Sequence, residues 1–245
     1  MTTIGPLILG HRGSPGSARE NTIEAFQLAR AEGADGVELD VHRSADGVLV
    51  VHHDAEIEGF GVLAERVFAE IESAFAWLPT LNAVLDACAG LLVNIEIKNS
   101  PKDPDFDPDE RVALGVVSLL EERAGRDGVR DDVIVSSFHL PSIERVHALD
   151  ASIPTGYLVV LHPPPFEALA TAVAGGHDAI HPFFGVLADE GAARVIAAAH
   201  AAGIAVNTWT VNDLDEIERL AAAGVDAIIT DLPAAARRVI GTDPR

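Results

Sequence analysis

Short apolar runs and helical segments alternate along the chain, and a parallel sheet covered by helices is the architecture in which such alternation buries every run. The runs fall at residues 7–10, 37–41, 92–98, 133–136, 155–159, 179–180, 205–208 and 227–229, each followed by helical periodicity. Eight such units in 245 residues predict an α/β fold, a (β/α)8 TIM barrel. One unit carries an ornament. Asp46-Gly47 marks a two-residue hairpin turn, so the second strand should reverse and return at 48–51. Residues 55–79 are weakly periodic apart from a short helix near 64–76 and read as a short insertion after the second barrel strand, a lid or rim. With no Pro/Gly/Ser-rich linker and 48% hydrophobic content, the sequence predicts a single domain over 1–245.

In such a barrel the chemistry sits where strands end and loops begin. Glu38 and Asp40 are two residues apart, so they share one face of the second strand while Val37, Leu39 and Val41 share the other. Carboxylates inside a covered strand must be paired or hold a metal, because an unpaired buried charge is costly. Glu96 and Lys98 share a face of the third strand in the same way. Glu38, Asp40 and Glu96, with no cysteine nearby, make an oxygen-rich site for one hard divalent cation, Mg2+ or Ca2+. The competing reading is that Lys98 neutralises one of the acids and no metal binds.

Arg12 and Lys98 would stand beside that site in a very acidic protein, which a substrate phosphate would explain. His11 and His53 are candidates for general acid and base, since imidazole titrates near neutral pH. With a two-residue turn at Asp46-Gly47, His53 lies opposite Asp40 and His52 opposite Val41, so His53 should point toward the acids. His181 is placed near the mouth as a substrate-side residue. Trp209 either walls the pocket or plugs the barrel top. The remaining histidines, among them His42 and His52, are read as structural or solvent-facing. Asn21, with Glu24 three residues on, reads as the N-cap of the first helix.

A net charge of -21 repels phosphate backbones and anionic lipid heads, which argues against nucleic-acid binding and stable membrane association. The lone Cys88 allows no internal disulfide. Met1 leads into an apolar strand from Ile4 without a basic n-region, and no run is long enough for a membrane helix, so a cytoplasmic location is expected.

His11-Arg12-Gly13, Glu20-Asn21-Thr22, Glu38-Leu39-Asp40-Val41, His53-Asp54, Pro79-Thr80-Leu81, Glu96-Ile97-Lys98, Ser137-Phe138, residues 207–212, Gly224-Val225-Asp226 and Thr230-Asp231-Leu232-Pro233 occur in one order. The chain thereby resembles the glycerophosphodiester phosphodiesterase family from Leu7 to Arg238. The resemblance implies a barrel enzyme that hydrolyses small-molecule glycerophosphodiesters to sn-glycerol 3-phosphate and an alcohol with a divalent cation. It implies Glu38, Asp40 and Glu96 as metal ligands, His11 and His53 as the acid/base pair, and Arg12 and Lys98 as phosphate-side cations. Two departures concern the alcohol pocket: residues 55–60 lack the family's Arg and Thr pair, and Arg19 stands where Pro is usual. A lysophospholipid or sphingolipid head group on the same barrel is the alternative substrate, with Phe60, Phe68, Phe75 and Trp77 as an apolar rim. A silent binding barrel is the alternative from another class, and paired proton carriers argue against it.

Overall fold

A computed structural model describes residues 5–127 and 132–241. Ile4 lies outside the described residues. The strands are β1 (Leu7–His11), β2 (Gly36–Arg43), β3 (Leu49–Val51), β4 (Glu56–Ile57), β5 (Gly61–Val62), β6 (Leu92–Ile97), β7 (Val133–Ser137), β8 (Thr155–Val159), β9 (Ala179–Pro182), β10 (Ala205–Thr208) and β11 (Ala227–Thr230). Eight of them, β1, β2 and β6 to β11, pair in parallel, and β1 pairs with both β2 and β11, so the sheet closes into a barrel. The predicted (β/α)8 fold is therefore the observed one.

Nine α-helices among the described residues cover the barrel: α1 (Ile23–Ala31), α2 (Phe68–Ala74), α3 (Leu81–Ala87), α4 (Arg111–Asp127), α5 (Leu140–Leu149), α6 (Pro165–Gly175), α7 (Asp189–Ala201), α8 (Leu214–Ala223) and α9 (Pro233–Ile240). Outward residues of β2 and β6, such as Val37, Leu39, Val93 and Ile95, pack with Phe26, Val84, Leu85, Ala113 and Val116 of the neighbouring helices. A second cluster repeats this on the other half, with Ile180, Val206 and Ile228 against Ala172, Ile196 and Leu220. Each fully buried aliphatic side chain contributes roughly 1.5–3 kcal/mol, so these two shells carry most of the stability. None of the described helices is long and apolar enough to cross a membrane.

The ornament differs from its sequence reading. Ser44 N–H donates to Val48 O, and Gly47, at φ +87°, closes a three-residue loop instead of a two-residue turn. The ladder of β2 with β3 consequently pairs Val41 with Val51 and His42 with Val50, one residue away from the predicted register. The predicted helix over 64–76 is a single 3-10 turn, Leu63–Glu65, followed by α2, and a small β4–β5 hairpin precedes it. Phe60, Phe68, Phe75 and Trp77 pack onto Val50 of β3 and onto Leu63, Ile71 and Leu78, a small core that the insertion builds against β3. Arg19, where Pro was expected, lies over the Trp77 ring at 4.0 Å and ties the β1–α1 loop to the insertion.

Candidate active site

Register brings the acids together. In the parallel ladders His11 lies beside Glu38 and Glu38 beside Asn94, while Asp40 lies beside Glu96. All face the barrel interior, because Val37, Leu39 and Val41 face the helices. Glu38, Asp40 and Glu96 are buried, and one oxygen from each lies within 4.8 Å of the others. An all-oxygen set of this kind fits a hard cation.

The electrostatics follow from burial and crowding. Burial, with Asp40 and Glu96 alongside, pushes the Glu38 carboxyl up to about 8. Burial likewise raises Glu96, against the pull of Lys98. Asp40 is the exception: burial would raise it, but Lys98 and Arg12 outweigh that and hold it low. Lys98 Nζ sits 3.1 Å from Glu96 Oε1 and 3.6 Å from Asp40 Oδ1, and Arg12 Nε sits 3.1 Å from Asp40 Oδ2. Both proposed phosphate-side cations are thus ion-paired with the acids.

A tight loop after β1 supplies the rest. Arg12 and Asn21 both adopt left-handed backbone, at φ 53° and 56°, unusual for residues with a side chain. Asn21 N–H donates to the Arg12 carbonyl, and Arg12 N–H donates to Glu38 Oε2 at 3.0 Å. Asn21 is not the helix cap. Thr22 takes that place, its hydroxyl accepting from Ala25 N–H, while Asn21 Nδ2 donates to Asp40 Oδ2 at 2.9 Å. The Asn-Thr pair offers two capping residues in a row, and sequence alone does not tell which one the acid takes.

His11 Nδ1 lies 2.6 Å from Asp231 Oδ1, and Asp231 is in turn held by Asn212. Burial would lower His11, but the hydrogen bond to Asp231 and the nearby Glu38 raise it. His53 is lowered, chiefly by burial, and its Nδ1 lies 2.7 Å from Asp54 Oδ1. The His53 side chain reaches the same hollow as His11, whereas the His52 ring turns to Trp77 at 6.1 Å between centroids. This placement was expected, yet the reason given for it fails, since the ladder sets His52, not His53, level with Asp40. β3 ends at Val51, so strand alternation no longer governs either ring.

The hollow, about 80 Å³, has a charged wall of His11, Arg12, Glu38, His53, Glu96 and Lys98 and an apolar wall of Phe138, Leu158, Trp209 and Ile229. Trp209 belongs to the wall, with its indole N–H donating to the His181 carbonyl at 2.7 Å and its ring edge-on to Phe138. His181 corrects the sequence reading. It lies within β9, fully buried, and its Nε2 meets Asn207 at 3.0 Å, so the side chain is held beneath the wall and not at the mouth. Burial drives its pKa down to about 3, which leaves it neutral. A larger cavity of about 180 Å³ lies at the amino-terminal side of β7 and β8, lined by Leu120, Val133 and Ile153, without histidine or paired cations.

His42, read as structural or solvent-facing, is buried, and Asp231, Asn212 and Asn21 were not assigned to the site. Asp231, Asn212 and Asn21 stand in the quoted motifs and His42 in none of them, and which carboxylate or ring each one meets is set by segments apart in sequence.

The model of the glycerophosphoryl diester phosphodiesterase family matches residues 11–235. A glycerophosphodiester phosphodiesterase of Bacillus altitudinis is 31% identical, over 92% of this chain and 94% of its own. One from Caldanaerobacter subterraneus is also 31% identical, over 93% and 94%. Among solved structures, the glycerophosphodiester phosphodiesterase of Thermotoga maritima superposes with a TM-score of 0.81 at 25% identity, covering 96% of this chain and 99% of that one. A phosphodiesterase of Oleispira antarctica in complex with the product sn-glycerol-3-phosphate gives 0.79 at 25% identity, covering 97% and 98%. With matched residues running from the first histidine of the hollow to the last helix, the chain belongs to the glycerophosphoryl diester phosphodiesterase family of phosphoric diester hydrolases.

Proposed function

We propose that this enzyme hydrolyses glycerophosphodiesters to sn-glycerol 3-phosphate and an alcohol, with Glu38, Asp40 and Glu96 holding one divalent cation, Mg2+ or Ca2+. The observation that carries this reading is the meeting, around one hollow, of Glu38, Glu96, two histidines and two cations, with the buried Asp40 directly beside the other two carboxylates. The Oleispira antarctica relative, in complex with sn-glycerol-3-phosphate, supports the choice of substrate. What a divalent cation would supply there is charge neutralisation on the non-bridging phosphate oxygens and a lower pKa for an attacking hydroxyl.

The chain's own groups do the rest. Arg12 and Lys98, already beside Asp40 and Glu96, offer N–H donors to the phosphate. His11 and His53 exchange protons with the attacking hydroxyl and the departing alcohol: the bond from phosphorus to the alcohol oxygen breaks, a new oxygen bond forms, and the proton released by the attacker is matched by one given to the leaving group. Asp231 keeps the His11 ring oriented. The apolar wall of Phe138 and Trp209 encloses the uncharged part of the substrate. For the lysophospholipid alternative, Phe60, Phe68, Phe75 and Trp77 pack on one side onto Val50, Leu63, Ile71 and Leu78 and remain half-exposed on the other, and turnover of glycerophosphocholine against lysophosphatidylcholine decides between the two substrates.

The test is to incubate purified protein with a panel of glycerophosphodiesters, with and without chelator, and to measure sn-glycerol 3-phosphate. Release that stops on chelation and returns with Mg2+ or Ca2+ is expected. Full activity after exhaustive chelation would sink the cation's role.

A further inference from the structure

His42 and the acidic loop after β6 take no part in the reading above, yet they meet next to the site. His42 follows Glu38 and Asp40 on the interior face of β2, and its side chain is 1% exposed. Its Nδ1 lies 2.6 Å from Asp105 Oδ2 and its Nε2 lies 3.1 Å from the His53 carbonyl oxygen. A carbonyl oxygen only accepts, so Nε2 carries a proton and donates it. Among the described residues this is the one hydrogen bond made by the main chain of His53. Since β3 has ended at Val51, no ladder aims the residue.

We infer that His42, fixed in turn by Asp105, is a positioning residue for His53. It holds the peptide group that follows the His53 Cα, and so sets the direction in which that imidazole enters the hollow. The anchor is firm at its far end. Asn99 Nδ2 donates to the Asp107 carbonyl at 2.9 Å, Asp107 N–H donates back to Asn99 Oδ1 at 2.8 Å, and Asp107 Oδ2 accepts from Arg111 N–H at the start of α4. The Asp105 side chain is buried between these ties and the ring. One imidazole therefore links the end of β2, the exit of β3 and the loop that follows Lys98. A reacting group a fraction of an ångström out of place loses much of its effect, which is why a peptide-level tether matters.

The inference rests on His53 carrying proton transfer, and a double-mutant cycle separates the two claims. His42→Ala should lower kcat by about 10- to 100-fold, the range seen when a partner that orients a functional group is removed. KM and the Mg2+ affinity read by calorimetry should stay within about twofold, since neither the acids nor Lys98 touches His42. In a His53→Ala background the same change should cost less than about twofold, because there is no imidazole left to aim. The combination of His42→Gln with Asp105→Asn rebuilds both hydrogen bonds with amides and should recover most of the lost turnover. If His42→Ala does not fold, Asp105→Ala, which leaves the ring in place, runs through the same cycle. Equal losses with and without His53 overturn the positioning role while leaving His53 assigned. Wild-type turnover in His53→Ala overturns the assignment itself.

Discussion

The interior wall formed by β1, β2 and β6 presents His11, Glu38, Asp40, Glu96 and Lys98, whereas the wall formed by β8, β9 and β11 presents Leu158, His181 and Ile229. Each holds a histidine, half-buried His11 on one and fully buried His181 on the other, and the two behave oppositely. His11 has Asp231 at 2.6 Å and Glu38 beyond it, so its charged form is favoured; His181 has only the Asn207 amide and burial, so it stays neutral. Burial alone therefore does not fix the charge of a histidine. A partner of opposite charge does, here Asp231 just past the end of β11 and Glu38 on β2.

The sharpest way to break this contrast is to neutralise the charged wall. Glu38→Gln mimics the protonated acid that burial already favours, so the cation-free fold should melt at or above the wild-type temperature while turnover falls to the chelated level. A variant that keeps cation-dependent turnover removes Glu38 from the ligand set. Next in size, His53→Ala should lose roughly 10²–10⁴-fold in turnover, the usual range for a general acid or base, with Mg2+ affinity retained. His52→Ala, which disturbs only the contact with Trp77, should cost stability at most. If His52→Ala is the inactive variant, the two roles are exchanged.

A third effect concerns pH. Because Glu38 holds its proton up to about 8, a cation must displace that proton to bind. Mg2+ affinity should therefore rise between pH 6 and 8 by about tenfold per unit, with about one proton released on binding, as calorimetry in buffers of different ionisation enthalpy can measure. The sign for stability is the reverse. A carboxyl raised in the fold binds more protons folded than unfolded, so its contribution is present below the unfolded carboxylate range and is lost as pH rises through 8. Melting of the chelated protein should fall over that window, and Mg2+ should cancel the fall. No such loss would mean that Glu38 is ionised without a cation.

The smallest effect on turnover belongs to the opposite wall. Gly156 has no side chain where His181 passes, and an added Cβ would come within 2.3 Å of His181 Nε2. Gly156→Ala should destabilise by about 1–3 kcal/mol through overpacking, with the pH–rate profile unmoved. A displaced profile would show that His181 takes part in proton transfer after all.

Much of the charged wall was legible in the sequence because strand alternation is local: Glu38 with Asp40 and Glu96 with Lys98 need only their own strands to share a face. The partners were not. Asn21 bonds Asp40 instead of capping α1, and His42 bonds the His53 carbonyl, because each contact joins segments that a helix or a hairpin separates in sequence. His181 was misplaced because a strand read as two residues long has four, which turns a mouth residue into an interior one.

By itself the sequence determined the repeating unit, and with it the closed barrel, the apolar shells and the strand ends where the acids gather, since each depends on a period of two or of about 3.6 residues. Tertiary structure alone decided which groups are paired. The three-residue loop at Gly47 moved the β2–β3 register, Asp231 reached His11 across the barrel seam, and Asp105 reached His42 from the loop after β6. Periodicity fixes the face on which a residue lies. Loop length and strand closure fix what that face meets, and no local pattern encodes those.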